Sequence, residues 1–521
     1  MASQRVVIAF RQPTPEDLAT SKGLSSTELI EKWANDLETD LGEFPLTPLF
    51  RGERGGTDWT HDSPPPGNFY WAEIPSEAVE TAFQTIRATL VDHGIYQAYV
   101  EPPARLAFPE VIDPSDIDIV LGRGRGLPGK MPTPDFSPRQ GWRSTAAGVW
   151  THDWLGNPLG HTGADIQVCD VEVDVRVQHE ALSSSSNYPK ELAPATEDDI
   201  YAQCHGTAVA GVICGQLQRS GVPGASGVRG IAPGSQLIVC RTSVASVTPG
   251  TPPIASAIYL SIPYLAKGSV LLIEAERRGP LAVEPGVNIQ TSMLNPPSLA
   301  EEDMPASEEM PSVGSWSRYL PVEYLPADFT AILAATDRGI IVVEAAGNGG
   351  ENLDDEFYDS PPPPEWGYPF VGTWANPFRR ASTYDSGAIL VGAGAPPRGM
   401  AGRDWGAYRS RLPHSNYGSC VDVQGWGRGI VTAGYGDLQG GVDPDRWYTD
   451  RFGGTSGAAA MVAGMVAVFQ SARAPKQPLT WKAMRKFLSA NGKPQTGNTA
   501  KHIGPMPHFD DLQSTDFLKL P

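Results

Sequence analysis

The chain has 521 residues, 40% of them hydrophobic and 19% charged, a length that exceeds one compact core and predicts two or more domains. A formal net charge of −19 at pH 7 gives a surface that repels nucleic acid and anionic membrane, so neither is an expected partner. No run of 18 or more apolar residues is visible, which predicts no membrane span.

The start of the chain, Met1 to Phe10, passes directly into a strand-like pattern with no apolar core and small-residue cleavage site, so no signal peptide is expected. Arg5–Arg11 reads as a strand. Ser26–Leu41 carries Leu29, Ile30, Trp33 and Leu37 at helical spacing, with Ser25 or Ser26 as the cap. Pro45–Phe50 and Asn68–Ile74 read as strands, Ser76–His93 as a second amphipathic helix, and Ile95–Glu101 as a closing strand. The order β-α-β-β-α-β is that of an α+β, ferredoxin-like domain over residues 1–105. Residues 106–145 read as a linker. Within it, Gly124 to Lys130 nearly spells a phosphate-binding loop. Met131 stands where Ser or Thr would bind magnesium, and Pro128 removes a backbone donor, so no nucleotide site is expected.

Over residues 146–490 the pattern changes. Apolar runs such as Ala164–Val168, Gln236–Cys240, Val270–Ile273, Ile340–Glu344 and Ala388–Val391 alternate with helical segments such as His205–Cys214, Asp328–Arg338 and Ser456–Ser471. Near-continuous apolar strands separated by helices predict an α/β domain of three layers, with a mostly parallel central sheet. The Pro- and acid-rich stretches Glu276–Ser317 and Glu351–Arg380 read as surface insertions. Residues 491–521 lack periodicity and read as a tail. Five cysteines (Cys169, Cys204, Cys214, Cys240 and Cys420) without framework spacing, and no Asn-x-Ser/Thr sequon, predict free thiols and a cytoplasmic setting, with secretion as the alternative.

Four local patterns in this region carry chemistry. An apolar strand ends at Ile166-Gln-Val-Cys-Asp170, and a carboxylate at a strand's carboxyl end lies where open α/β sheets place their sites. His205 opens a helix in Cys204-His-Gly-Thr. Ser456 opens a helix of small residues in Phe452-Gly-Gly-Thr-Ser-Gly, at its positive end. Asn348 follows a strand in Ala345-Ala-Gly-Asn-Gly. A serine hydroxyl is a poor nucleophile until a base takes its proton, and histidine suits that role near neutral pH. A buried carboxylate fixes the imidazole tautomer, and an amide donor serves the developing oxyanion. Singly, Asp170 reads as a cap or loop acid, His205 as a partly buried histidine, Ser456 as an N-cap and Asn348 as a turn residue. Their joint occurrence argues for acyl transfer.

These residues resemble the subtilisin-like serine peptidases, which show an Asp motif, His-Gly-Thr, Ala-Ala-Gly-Asn and Gly-Thr-Ser in this order. Gly230-Ile-Ala-Pro233 and Ser415-Asn-Tyr-Gly418 are further matches. The resemblance implies a serine endopeptidase acting on a peptide or protein substrate. Asp170, His205 and Ser456 form its triad and Asn348 is the oxyanion donor. The same site in similar enzymes also serves peptide ligases and cyclases, and a catalytically inactive peptide-binding form is the other alternative. Asp170-Val171-Glu172 departs from the usual Asp-Thr/Ser-Gly, and Ala459-Ala460 replaces the common Ser-Pro. Gly347 and Glu274 are the candidate substrate-binding positions. Glu274 and Glu276 lie where the family's substrate-binding strand runs, an acidic lining suited to basic side chains. No cofactor is required. Similar enzymes often bind calcium, and Asp354, Asp355, Glu356 and Asp359 form the acidic loop that suggests it. His179, Cys169 and Cys204 read as structural. Propeptides of similar enzymes are ferredoxin-like and inhibit the active site, which implies the same intramolecular role for residues 1–105.

Overall fold

The computed structural model describes residues 3–21, 23–42, 44–50, 61, 63–101, 104–106, 133–143, 162–183, 188–192, 200–217, 226–242, 253–279, 319–361, 369–380, 384–473 and 477–508. The near-phosphate-loop at 124–130 and most of the acid-rich stretch after Glu276 lie outside the described residues.

The chain begins with β1 (Ser3–Phe10), α1 (Pro15–Thr20), α2 (Ser26–Leu41), β2 (Thr47–Pro48), β3 (Phe69–Pro75), α3 (Val79–Thr89), β4 (Ile95–Val100) and β5 (Ala104–Leu106). Helix α2 starts where its cap predicts. The Ser25 hydroxyl accepts from Glu28 N–H while the Glu28 carboxylate accepts from Ser25 N–H, which satisfies two orphan donors reciprocally. The strands form an antiparallel sheet in the order β4-β1-β3-β2. One face packs Val6, Ile8 and Phe10 against Leu29, Trp33, Leu37, Phe83 and Ile86. Because successive strand side chains alternate in direction, Val7 and Ala9 face the other way, into the core of the downstream domain.

That domain contains β6 (Gln167–Glu172), β7 (Lys190–Glu191), α4 (Ile200–Cys214), β8 (Gln236–Arg241), α5 (Ile254–Ser261), β9 (Val270–Ile273), β10 (Ala275–Arg278), β11 (Tyr319–Pro321), α6 (Pro326–Asp337), β12 (Ile341–Ala345), β13 (Phe370–Gly372), β14 (Ile389–Gly394), β15 (Val421–Trp426), β16 (Ile430–Ala433), β17 (Tyr448–Phe452), α7 (Gly454–Arg473) and α8 (Trp481–Ala490). Seven strands form a parallel sheet in the order β15-β14-β12-β9-β6-β8-β7. Both faces are covered, which explains the unbroken apolar runs. Val168, Val239, Leu272 and Val343 face α4 and α7, whereas Cys169, Ile238, Leu271 and Val342 face α5 and α6. Helix α7 is long and apolar enough to cross a membrane by composition. It is 89% buried instead, as the central helix of one layer.

Three segments differ from their sequence reading. In the stretch read as linker, Trp142 is fully buried and its Nε1–H donates to the Val431 carbonyl at 3.1 Å, so residues 133–143 pack onto the downstream domain and add Trp142 to its core. In the second insertion, β13 pairs antiparallel with β4 and extends the N-terminal sheet to five strands. In the tail, Ile503 and Met506 are buried, and the Pro505 and His502 carbonyls accept from Gln424 and Gly418 N–H at 3.0 and 2.9 Å. All three are short or irregular segments held by backbone hydrogen bonds to other elements, and such pairing leaves no period in the sequence.

The two domains are joined by buried charge. Arg277 on β10 binds Glu101 after β4 at 2.8 Å and Asp328 on α6 at 2.8 Å, and Arg5 on β1 binds Glu101 at 2.8 Å. Strand β5, on the exit from the N-terminal sheet, pairs antiparallel with β10, with Arg105 opposite Glu276. Replacing Trp142 by Ala should destabilise the chain by about 3–5 kcal/mol in chemical denaturation, the usual cost of emptying a large aromatic site. A surface linker would give almost none.

Candidate active site

Strand β6 does not stop at Asp170 but runs one pleat further, to Glu172. Asp170 and Glu172 share the sheet face that looks toward α4, two residues apart. Asp170 sits in mid-sheet, opposite Val239 on β8 and Leu272 on β9. Glu172 sits at the carboxyl edge. Helix α4 begins at Ile200, so His205 lies in its second turn rather than at its start.

This geometry reassigns the carboxylate. His205 Nδ1 lies 2.7 Å from Glu172 Oε2, and His205 Nε2 lies 3.1 Å from Ser456 Oγ. All three residues are fully buried. With a carboxylate on Nδ1, that nitrogen carries the proton and Nε2 is free to accept from the serine hydroxyl. Glu172 Oε1 accepts from Val173 N–H at 2.7 Å, so its second oxygen is also held. Neither oxygen of Asp170 has a hydrogen-bond partner. Asp170, which the motif order makes the partner of His205, is thus replaced there by Glu172. One pleat, plus the extra methylene of glutamate, carries the carboxylate out to the imidazole.

Glycine makes this approach possible. A Cβ at Gly206 would lie 2.2 Å from the Asp174 carbonyl oxygen and 2.5 Å from Glu172 Cγ. Helix α4 can lie this close to the turn after β6 only with no side chain there. The Phe452 ring meets the His205 ring edge-on at 5.7 Å between centroids and closes the other side. Ser456 lies in the first turn of α7, which starts at Gly454 with φ +73°. The peptide dipoles there favour developing negative charge.

Asn348 follows β12, as its pattern predicts. Its Oδ1 accepts from Thr455 N–H at 3.0 Å, which ties the amide to the residue before Ser456. Its backbone N–H and its Nδ2 both donate to Glu276 Oε2, at 2.6 and 3.2 Å. Gly347 has φ +91°, and a Cβ there would meet Asn416 Nδ2 at 2.6 Å. Asn416, in the Ser415-Asn-Tyr-Gly418 motif, braces this loop. Its Nδ2 donates to the Tyr319 and Ala346 carbonyls at 2.6 and 2.7 Å, and its Oδ1 accepts from Gly349 and Glu351 N–H. Sequence reasoning recorded the motif without finding this role.

Glu274 and Glu276 do not form an open acidic lining; both are fully buried. Glu276 is engaged with Asn348, while Glu274 stands against the Ser456 hydroxyl and receives no N–H donor on either oxygen. Burial holds the Asp170, Glu172 and Glu274 carboxyls well above the usual range. Burial also lowers the His205 imidazole, to about 3, with Glu276 acting the other way. The carboxylates of the acidic loop do not converge. Asp359 is bound by Arg379 and Asn376, Asp354 by Ser419, and Asp355 caps Phe357 N–H. Among the described residues no group of three His, Cys, Asp or Glu side chains could hold a metal ion. The five cysteines are buried and form no disulfide with one another.

Residues 148–504 match the sequence profile of the subtilase family. Among solved structures, the chain is similar to fervidolysin from Fervidobacterium pennivorans, a keratinolytic enzyme related to subtilisin. The identity is 17% and the TM-score 0.53, over 100% of this chain and 62% of that one. The chain therefore spans less than two thirds of fervidolysin's length, and the likeness is one of fold. An epidermin leader peptide processing serine protease from Staphylococcus aureus matches over 99% of both chains at 13% identity and a TM-score of 0.48. A cold-adapted subtilisin-like serine proteinase matches 67% of this chain and 90% of its own at 17% identity and a TM-score of 0.39. No curated protein matches the chain.

Gly206→Ala should push α4 away from Glu172. A low-field proton resonance of the His205 Nδ1–H should be present in the parent and absent from the variant, while the far-ultraviolet circular dichroism stays unchanged.

Proposed function

The chain belongs to the subtilase family of serine peptidases, and we propose that it is an endopeptidase that cleaves through an acyl-enzyme with Glu172, His205 and Ser456 as its triad. The observation that carries this reading is the line of hydrogen bonds from Glu172 through His205 to Ser456, at 2.7 and 3.1 Å. Ser456 Oγ attacks the peptide carbonyl carbon as its proton passes to His205 Nε2. The imidazolium that forms is stabilised by Glu172 across Nδ1–H, in a site with little water to compete. The carbonyl oxygen becomes an oxyanion and takes hydrogen bonds from Asn348 Nδ2 and the Ser456 N–H. His205 then gives its proton to the leaving amine, the C–N bond breaks, and water hydrolyses the ester by the same path in reverse.

The N-terminal domain fits the role of an intramolecular inhibitor. Strand β5 occupies the edge of β10, whose preceding residue Glu274 stands beside Ser456. A peptide substrate would add to that same edge as an antiparallel strand. A serine-directed fluorophosphonate should therefore label Ser456 faster once the N-terminal domain has been proteolytically removed than in the intact chain.

Three substitutions test the triad, each measured as kcat/KM on a peptide substrate with folding checked by circular dichroism. Ser456→Ala should lower kcat roughly 10⁶-fold. Glu172→Gln keeps the shape but removes the charge and permits the wrong tautomer, and should cost roughly 10⁴-fold. Asp170→Asn should remain within about tenfold of the parent, since Asp170 is hydrogen-bonded to neither His205 nor Ser456. The reverse ranking of the last two would return the role to Asp170. Asn348→Ala should lower kcat about 10²–10³-fold with little change in KM, as loss of one oxyanion donor does.

A further inference from the structure

Three carboxyl groups crowd one spot behind the nucleophile. Asp170 and Glu172 lie two residues apart on one face of β6. Glu274 follows the adjacent strand β9, where its N–H approaches the Val171 carbonyl at 3.4 Å. All three are fully buried. Among the described residues the groups that face them are Cys169 on β6, Asp174 in the turn after β6, His205 and Cys214 on α4, Tyr435 after β16, Glu276 on β10 and Ser456 on α7. None of these is a lysine or arginine. The nearby Arg241 is spent on Asp174 and Glu191, and Arg277 on Glu101 and Asp328. Among the described residues the carboxyls do not converge on a metal position either.

Three like charges this close in a dry interior cannot all ionise, so protons must neutralise some of them. Hydrogen bonds decide which. Glu172 faces two N–H donors, from His205 Nδ1 and Val173 N. Asp170 has none on either oxygen, and Glu274 receives no N–H donor and meets only the Ser456 hydroxyl, which works against the effect of burial. An ionised carboxylate needs donors, whereas a neutral carboxylic acid tolerates a poor environment far better.

Building on the Glu172–His205–Ser456 reading, we propose that the cluster carries a single negative charge, on Glu172, that Asp170 and Glu274 are resident carboxylic acids, and that ionisation of Glu274 sets the upper pH limit of catalysis. Glu274 is the member that stands beside Ser456, where the oxyanion develops. A second charge there opposes the transition state directly, while Asp170 acts only through its neighbours. The proton lost from Glu274 goes to solvent, and no bond to substrate is involved. Glu274 is thus a positioning residue for charge, with no part in the proton relay.

Burial sets the direction of the shift for both acids. A carboxyl raised above its unfolded value contributes stability that is full below the ordinary carboxylate range and is lost as pH rises through the raised value. Catalysis and stability should therefore both decline on the alkaline side.

The test is the pH profile of kcat/KM for the parent, Glu274→Gln and Asp170→Asn, with infrared spectra of the same proteins at neutral pH. Glutamine mimics the neutral acid and cannot ionise. Where the parent has fallen roughly tenfold on its alkaline side, Glu274→Gln should stay within about twofold of its own plateau. Asp170→Asn should keep a decline, displaced in pH. Each variant should lose one carbonyl band of a protonated carboxyl from the parent spectrum, a readout that needs no activity. Alkaline limbs that superimpose, or no protonated-carboxyl band in the parent, would overturn the proposal. So would a Glu274→Gln variant that is folded but inactive at every pH, since it would make the ionised form essential. Failure of the triad reading is separate: it appears as full activity in Glu172→Gln, whatever the infrared bands show.

Discussion

The hydrogen bond between Glu172 and His205 is the contact on which the site depends, and it exists because β6 is one pleat longer than its motif suggests. A carboxylate at the sheet edge can meet a histidine in the second turn of α4 only if the helix comes very close. Gly206 permits this approach. The small residues of α7 bring Ser456 in from the other side, with Ala458, Ala459 and Ala460 fully buried against the sheet. The Ala459-Ala460 departure from the usual family sequence is thus packing in a tight helix–sheet contact and leaves Ser456 within hydrogen-bond reach of His205.

The same closeness has an electrostatic consequence. Removing water from the space between β6, β9, α4 and α7 strengthens the Glu172–His205 contact. It also leaves Asp170 and Glu274 in an interior that does not support their charge. On the proposed reading, such a site holds the Glu172 carboxylate by local donors and keeps the neighbouring acids neutral by protonation. Arg277, Glu101, Arg5 and Asp328 show the contrasting solution on the opposite side of β10. There a buried cluster alternates positive and negative groups and every carboxylate has an arginine. Buried networks of this kind are costly to break when one partner is removed. Arg277 therefore links the N-terminal sheet, α6 and the strand that carries Glu276.

The larger architecture follows from covering. The parallel sheet needs both faces buried, and the N-terminal domain contributes to one of them. Val7, Ala9, Phe69 and Tyr99 share a core with α5 and α6. Strand β13 then caps the open edge of β4, so the downstream chain completes the N-terminal sheet and the N-terminal chain covers the downstream helices. Each domain supplies an element that the other lacks.

The sequence by itself determined the element types, the layer order and most of the chemical groups. Helix α2 is marked by apolar spacing and a capping box, the central strands by unbroken apolar runs, and His205, Ser456 and Asn348 by small residues around a polar one. These are local signals, written within a few residues of each group. Only the tertiary structure decided which acid serves His205, because Asp170 and Glu172 lie on the same face and local pattern gives both the same claim. Their difference is depth along the strand relative to a helix that follows about thirty residues later. It was likewise the tertiary structure that buried Phe136, Trp142, Ile503 and Met506 and placed β13 on a foreign sheet. Those segments are held by backbone hydrogen bonds to distant partners, and backbone groups are the same in every residue.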